Sequence, residues 1–238
     1  MRPPQPRKVA IVTGASQGIG AGIAAAFDRA GYSVVATSRS IGPSSAPDVL
    51  IVNGDIADAD TAQCVVEQAL DRFGCVDTLI NNAGIFIGKG FTDYTPEDFD
   101  AITAVNLAGF FHVTQRAIRQ MVVQGGGHVV NITTSLVDHA RSGSPSALAS
   151  LTKGGLAAVA RSLAIEYAER GVRVNAVSLG VIKTPMHDPS EYDAIGAVHP
   201  LGRAGEIDDV VDGILYLERA TFVTGETLHI DGGQAAGH

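Results

Sequence analysis

Short runs of apolar, largely β-branched residues alternate along this chain with longer Ala- and Leu-rich stretches whose apolar positions recur at helical spacing. The runs Lys8–Val12, Ser33–Thr37, Val49–Asn53, Thr78–Asn81, His128–Ile132, Arg173–Val177 and Thr227–Ile230 are mostly continuous in hydrophobicity, as strands covered on both faces should be. Between them, helices are expected near 18–30, 58–73, 96–123, 146–170 and 206–219. Gly31, Gly74, Gly125 and Gly171 stand where C-terminal caps belong. This order predicts repeated βαβ units and a doubly wound α/β fold with one parallel, seven-stranded sheet. Two stretches resist the pattern: 38–47, rich in Ser, Pro and Gly, and 185–200, which mixes His, Asp and Tyr. Both are expected to be loops, the second lining or covering a substrate pocket.

Composition narrows the function classes. The 238 residues are 45% hydrophobic and contain no linker-like segment, so 1–238 is expected to be a single domain with a short disordered leader at 1–7. The net charge is -8 and the basic residues are scattered, which argues against a nucleic-acid partner. The basic, proline-rich N-terminus is followed only by a short strand-like run, so neither a signal peptide nor a membrane span is expected. Cys64 and Cys75 are too few for a disulfide framework, which fits a cytoplasmic protein. His187, Asp188 and His199 are too irregularly spaced for a metal site, and none is expected.

The first chemical motif follows the first strand directly. In Thr13-Gly14-Ala15-Ser16-Gln17-Gly18-Ile19-Gly20, Gly14 permits a tight turn, Gly18 lets backbone approach a pyrophosphate, and Gly20 allows close packing of helix on strand. The helix that opens there offers unpaired N–H groups and a positive dipole end to an anion. A strand before and a helix after are the context that marks a dinucleotide site rather than an ordinary glycine-rich turn.

The TGxxxGxG spacing, together with Asn81-Asn82-Ala83-Gly84, Asn106, Lys153, the run 179–184 and the ending His229-Ile230-Asp231-Gly232-Gly233, resembles the short-chain dehydrogenase/reductase family. The stretches NGDIAD, AVNLAGFF, SLAIEYAERGVRVNAVS and HPLGRAGEIDDVV resemble its subgroup of 3-oxoacyl carrier-protein reductases and bacterial ketoreductases. The likeness runs from about residue 8 to Gly233 and implies a Rossmann-type fold and an NAD(P)-dependent oxidoreductase acting on a small carbonyl compound. It places Gly14, Ser16, Gln17, Gly18, Ile19, Gly20, Ser38, Arg39, Asp55, Ile56, Asn82, Ala83, Gly84, Lys153, Gly180, Ile182 and Thr184 against the cofactor. The second strand ends Ala36-Thr37-Ser38-Arg39, with no carboxylate to bond a ribose 2'-hydroxyl and a guanidinium suited to phosphate, so NADP(H) is favoured over NAD(H). Asp55 matches the family's adenine contact, with a helix N-cap as the plainer alternative. Leu179 stands where the family usually has proline. The long helices near 96–123 and 146–170 resemble those that pair in tetrameric relatives, so a homotetramer is expected, with a dimer next.

The family's catalytic set is an Asn, a Ser, a Tyr and a Lys, with Tyr and Lys at i and i+4 on one helix face. Tyr donates the proton, its pKa lowered by the Lys ammonium, while Ser holds the carbonyl oxygen. Asn106 and Lys153 match their positions; for the hydroxyl, Ser135 is favoured narrowly over Thr134. Ala149-Ser150-Leu151-Thr152-Lys153 fills the Tyr-x-x-x-Lys slot, and no tyrosine lies between Tyr94 and Tyr167. Three explanations stand open: a reductase with another donor, such as water relayed through Asn106 and Lys153, or His139, Ser146 or Ser150; a catalytically silent NADP(H)-binding or regulatory protein; or an engineered replacement of tyrosine.

Overall fold

The computed structural model describes residues 7–237. Of the leader expected at 1–7, residues 1–6 lie outside that span, and Arg7 pairs with Asp48. Seven parallel strands form one sheet in the order β3-β2-β1-β4-β5-β6-β7. They are β1 (Val9–Thr13), β2 (Ser33–Ser38), β3 (Val49–Asn53), β4 (Thr78–Asn81), β5 (Gly127–Thr134), β6 (Val172–Leu179) and β7 (Thr227–Ile230). Helices α1 (Gly18–Arg29), α2 (Ala59–Phe73), α3 (Pro96–Thr103), α4 (Phe110–Gln124), α5 (Ala147–Tyr167), α6 (Tyr192–Gly196) and α7 (Ile207–Arg219) connect them. Among the described residues no helix is long and apolar enough to cross a membrane.

Alternate residues of each strand feed opposite faces, which is why the strand sequences read as unbroken apolar runs. On one face Ile11, Val35, Leu79, Val129 and Val174 pack with Val65 of α2, Val113 and Met121 of α4 and Ala160 of α5. On the other, Ala10, Val12, Val34, Ile80 and Val177 pack with Ile23 and Phe27 of α1 and with Val210, Ile214 and Leu217 of α7. Each fully buried Ile, Leu, Val or Phe contributes about 1.5–3 kcal/mol.

The chain leaves β1 for β2 on one side and later returns to add β4 on the other, so the switch point lies between β1 and β4, where open α/β sheets bind ligands beyond their strand C-termini. Thr13 seals it. Its hydroxyl donates to Ile80 O at 3.2 Å and accepts the N–H groups of Asn82 and Ala83, each at 3.0 Å.

The element bounds differ from expectation in three informative places. The single helix expected near 96–123 is broken by a π-helical segment, Ala104–Gly109, between α3 and α4. Strands β5 and β6 run two residues further than their patterns suggested, pairing Thr134 with Leu179 at the sheet's C-terminal edge. The stretch 185–200, expected as loop, contains the short α6.

Candidate active site

The glycine loop takes the shape its residue types allow. Gly14 and Gly18 hold φ of +66° and +54°, in the left-handed region that favours glycine. A Cβ on Gly20 would fall 2.2 Å from Gly14 O, so α1 packs onto the loop only because that side chain is missing. The Asn82 carboxamide fastens the same loop, donating to Thr13 O at 2.9 Å and Gly14 O at 3.1 Å. Gln17 caps α1 without a side-chain bond and no acidic residue occupies the first turn, leaving the dipole end uncompensated. A Cβ on Gly18 would come no nearer than 3.4 Å to Thr184, so there is room over this backbone. These features fit the pyrophosphate of a dinucleotide.

A cleft of about 380 Å³ opens above this loop. Gly14, Gln17, Gly18, Ile19 and Gly20 form its floor with Asn82, Ala83 and Gly84; Gly180, Ile182 and Thr184 lie on the β6 side. Ser16 of the glycine loop, and Ser38, Arg39, Asp55 and Ile56 at and just beyond the C-terminal ends of β2 and β3, lie outside its lining. There the Ser38 hydroxyl donates to Ser16 Oγ at 3.1 Å and Arg39 is exposed. The Asp55 carboxylate accepts from Ala57 N at 3.0 Å within a turn, whereas the N-cap of α2 is Asp58, so the capping alternative for Asp55 does not apply.

Lys153 reaches the cleft from α5 and donates to Ile132 O at 2.8 Å. Burial pushes its ammonium down to about 8, and no carboxylate pairs with it among the described residues. Its place depends on Gly84, where a Cβ would lie 2.9 Å from Lys153 Nζ and 3.2 Å from Asn106 Oδ1. Asn106 itself stands behind the cleft wall, 1% exposed, in the π-helical segment. Its side chain is fully engaged: Oδ1 accepts from Ile85 N at 2.9 Å, while Nδ2 donates to Ile85 O and Thr152 Oγ1, each at 3.1 Å. A π-bulge at such a residue is a frequent mark of a functional site.

The two candidate hydroxyls are placed differently: Thr134 lines the cleft, whereas Ser135 is 1% exposed and begins a 3-10 turn, Ser135–Val137. This placement favours Thr134, the close alternative, over Ser135 as the hydroxyl facing a substrate. Thr134 Oγ1 accepts from Leu136 N at 3.3 Å, which leaves its O–H to donate into the cleft. Ala149 is 3% exposed and lies on the cleft wall one turn before Lys153. The candidate donors His139, Ser146 and Ser150 do not line the cleft. Ser150 instead donates to Leu136 O at 3.3 Å, and Ser146 is the N-cap of α5.

Phe86, Leu136, Ser144, Pro185, Met186 and His187 complete the wall. The expected substrate stretch contributes its first three residues, while Tyr192 and His199 are not in the lining. His199 is 3% exposed and accepts from Val181 N at 3.0 Å beneath the β6 turn. Among the described residues no group of His, Cys, Asp or Glu is placed to hold a metal ion. Phe86, Leu136 and Ser144 carried no signal in the sequence, because only the tertiary fold brings their loops together.

Comparison with known proteins decides the family. The model described as "Enoyl-(Acyl carrier protein) reductase" matches residues 14–235. The chain belongs to the short-chain dehydrogenase/reductase family. Glucose 1-dehydrogenase of Gluconobacter oxydans is 34% identical over 95% of this chain and 91% of its own. A 3-oxoacyl-[acyl-carrier-protein] reductase of Thermotoga maritima is 33% identical over 95% and 97%. Among solved structures, ElxO with NADP bound superposes with a TM-score of 0.91 at 28% identity, covering 97% of this chain and all of that one. The 3-ketoacyl-(acyl-carrier-protein) reductase of Brucella melitensis, complexed with NADH, gives 0.89 at 31% identity, covering 96% and 98%. Short-chain dehydrogenases/reductases are oxidoreductases, and a nicotinamide cofactor fits the cleft built here.

Proposed function

We propose that this protein is an NADP(H)-dependent carbonyl reductase that works without a tyrosine acid. The single observation that carries the reading is that the glycine loop, Thr134, Ala149 and Lys153 line one cleft, with a methyl group where the family carries its tyrosine. When bound, the cofactor supplies hydride to a carbonyl carbon. Thr134 donates a hydrogen bond to the carbonyl oxygen, stabilising the charge that gathers there. Lys153 orients the nicotinamide ribose and is the proton reservoir of the site, since an ammonium near pKa 8 is a stronger acid than an ordinary phenol. Asn106 keeps the β4 loop and α5 in register behind Lys153. Arg39, exposed beside Ser16 and Ser38, supports NADP(H) over NAD(H).

Without a positioned general acid the rate is lowered about 100- to 10,000-fold for an ordinary ketone, which slows catalysis and does not abolish it. The test is NADPH oxidation against a panel of ketones, with Lys153→Met as control. We expect turnover that depends on Lys153 and prefers NADPH over NADH. Tight NADPH binding with no Lys153-dependent turnover would instead favour a silent cofactor-binding protein. We further place the protein in the reducing cytoplasm, where Cys64 and Cys75 remain free thiols.

A further inference from the structure

We infer that the preferred substrate is an aryl or enolic carbonyl compound carrying its own acidic hydroxyl beside the reacting carbonyl, and that this hydroxyl takes the space over Ala149 and donates the proton. The inference rests on the reductase reading and deepens it.

Three observations carry it. At the family's tyrosine position the cleft wall carries only the Ala149 methyl, so a substrate oxygen can enter a space that a phenol ring would fill. Lys153 donates to Ile132 O at 2.8 Å and has two further N–H groups with no partner among the described residues, enough to hold an oxyanion. Phe86, Leu136 and Met186 add apolar surface to the wall, which suits a flat apolar ring. Phe86 and Met186 are 46% and 65% exposed, and such apolar side chains at a cleft mark a ligand groove. Among the described residues no Asp or Glu lines the cleft, and His187 is the other ionisable side chain there besides Lys153.

In the step, hydride forms the new C–H bond at the carbonyl carbon and the C=O π pair moves onto oxygen. That oxygen, hydrogen-bonded to Thr134, takes the proton of the neighbouring substrate hydroxyl. The resulting phenolate or enolate lies against the Lys153 ammonium, which stabilises it as it would a tyrosinate. A proton from Lys153 restores the hydroxyl, and solvent reprotonates the lysine. The nicotinamide leaves oxidised, its two electrons now in the new C–H bond.

The experiment compares 2-hydroxyacetophenone with 2-methoxyacetophenone, in which a methyl group replaces that proton. With NADPH we expect the hydroxy ketone to turn over about 100-fold faster or more, the scale of a positioned acid. In Ala149→Tyr the methoxy ketone should gain and the ratio should fall toward one. A second measurement needs no turnover: with NADP+ present, the hydroxyl of bound 2-hydroxyacetophenone should stay protonated at pH 7 yet ionise at lower pH in the wild type than in Lys153→Met, and an unchanged ionisation would overturn the inference. Equal turnover of the two ketones, or loss of the preference in His187→Gln, would overturn the inference while leaving the reductase reading intact. Failure to reduce these two ketones while others of the panel are reduced would likewise overturn the inference, and failure across the whole panel, with NADPH bound, would overturn the reductase reading itself.

Discussion

Thr134 and Ser135 are adjacent and chemically alike, yet only one faces the cleft. The sequence contained both hydroxyls but not the point at which β5 ends, and that point decides which of them is presented. Carrying β5 through Thr134 and turning at Ser135 leaves Thr134 on the wall and Ser135 inside. Thr134→Val should therefore lower kcat by about 100-fold or more, the usual consequence of losing one donor to a developing oxyanion. Ser135→Ala should leave kcat nearly unchanged and lower the melting temperature instead, and a reversed pattern would restore the original assignment. Lys153 was legible because its partners are sequence motifs in their own right. Its depressed pKa was not, since that arises from burial. With the ammonium as proton reservoir, kcat should be level below about pH 8 and fall with rising pH above it, approaching tenfold per unit.

Among the elements, the strands were the most legible, because burial on both faces leaves little choice of residue type. The break between α3 and α4 was hidden, since a π-helical insertion adds one residue to a turn without interrupting the apolar stripe. What the insertion serves appears only in three dimensions: Asn106 bonds Ile85 and Thr152 and so links the β4 loop to α5. The glycine loop illustrates the opposite case, where residue type alone foretold geometry. Gly20→Ala would drive a methyl against Gly14 O, and backbone on that side yields only by moving the loop. The substitution should weaken NADPH binding at least tenfold by fluorescence titration while destabilising the fold by about 1–3 kcal/mol. Unchanged affinity would show that the close approach of α1 to the loop is not needed for binding.

At the scale of the whole molecule, the ends of the sheet have different tasks. The C-terminal edge holds the cleft, while the N-terminal ends of β4, β5 and β6 hold a buried polar cluster around Glu218 of α7. Glu218 accepts from Tyr32 at 2.9 Å, Thr78 at 3.1 Å and His128 Nδ1 at 2.8 Å, and Asn175 approaches the other nitrogen of His128 at 3.1 Å. Burial alone would raise the Glu218 carboxyl, but the His128 and Tyr32 bonds and the charge on Lys8 hold it down to about 2. A carboxyl depressed by folding contributes stability above its unfolded value and loses it as pH falls toward the folded one. Acid unfolding between about pH 4.5 and 2 should therefore be milder in Glu218→Gln than in the wild type, although the variant is less stable at pH 7. An identical pH dependence would exclude Glu218 as the responsible group. On the outer faces, Phe111 of α4 and Leu151 and Ile165 of α5 are 54%, 59% and 79% exposed, consistent with the proposed pairing of these helices in a homotetramer. Sedimentation at micromolar concentration reads that directly, and a monomer contradicts it.

The most direct test of the central claim is isotope transfer from NADPH deuterated at the nicotinamide C4 to a ketone, with the alcohol product weighed by mass spectrometry in the wild type and in Lys153→Met. A reductase that lacks tyrosine but uses Lys153 predicts deuterium on the carbinol carbon in the wild type and little or none in the variant. Bound cofactor that transfers no deuterium, or equal transfer in both proteins, would contradict it.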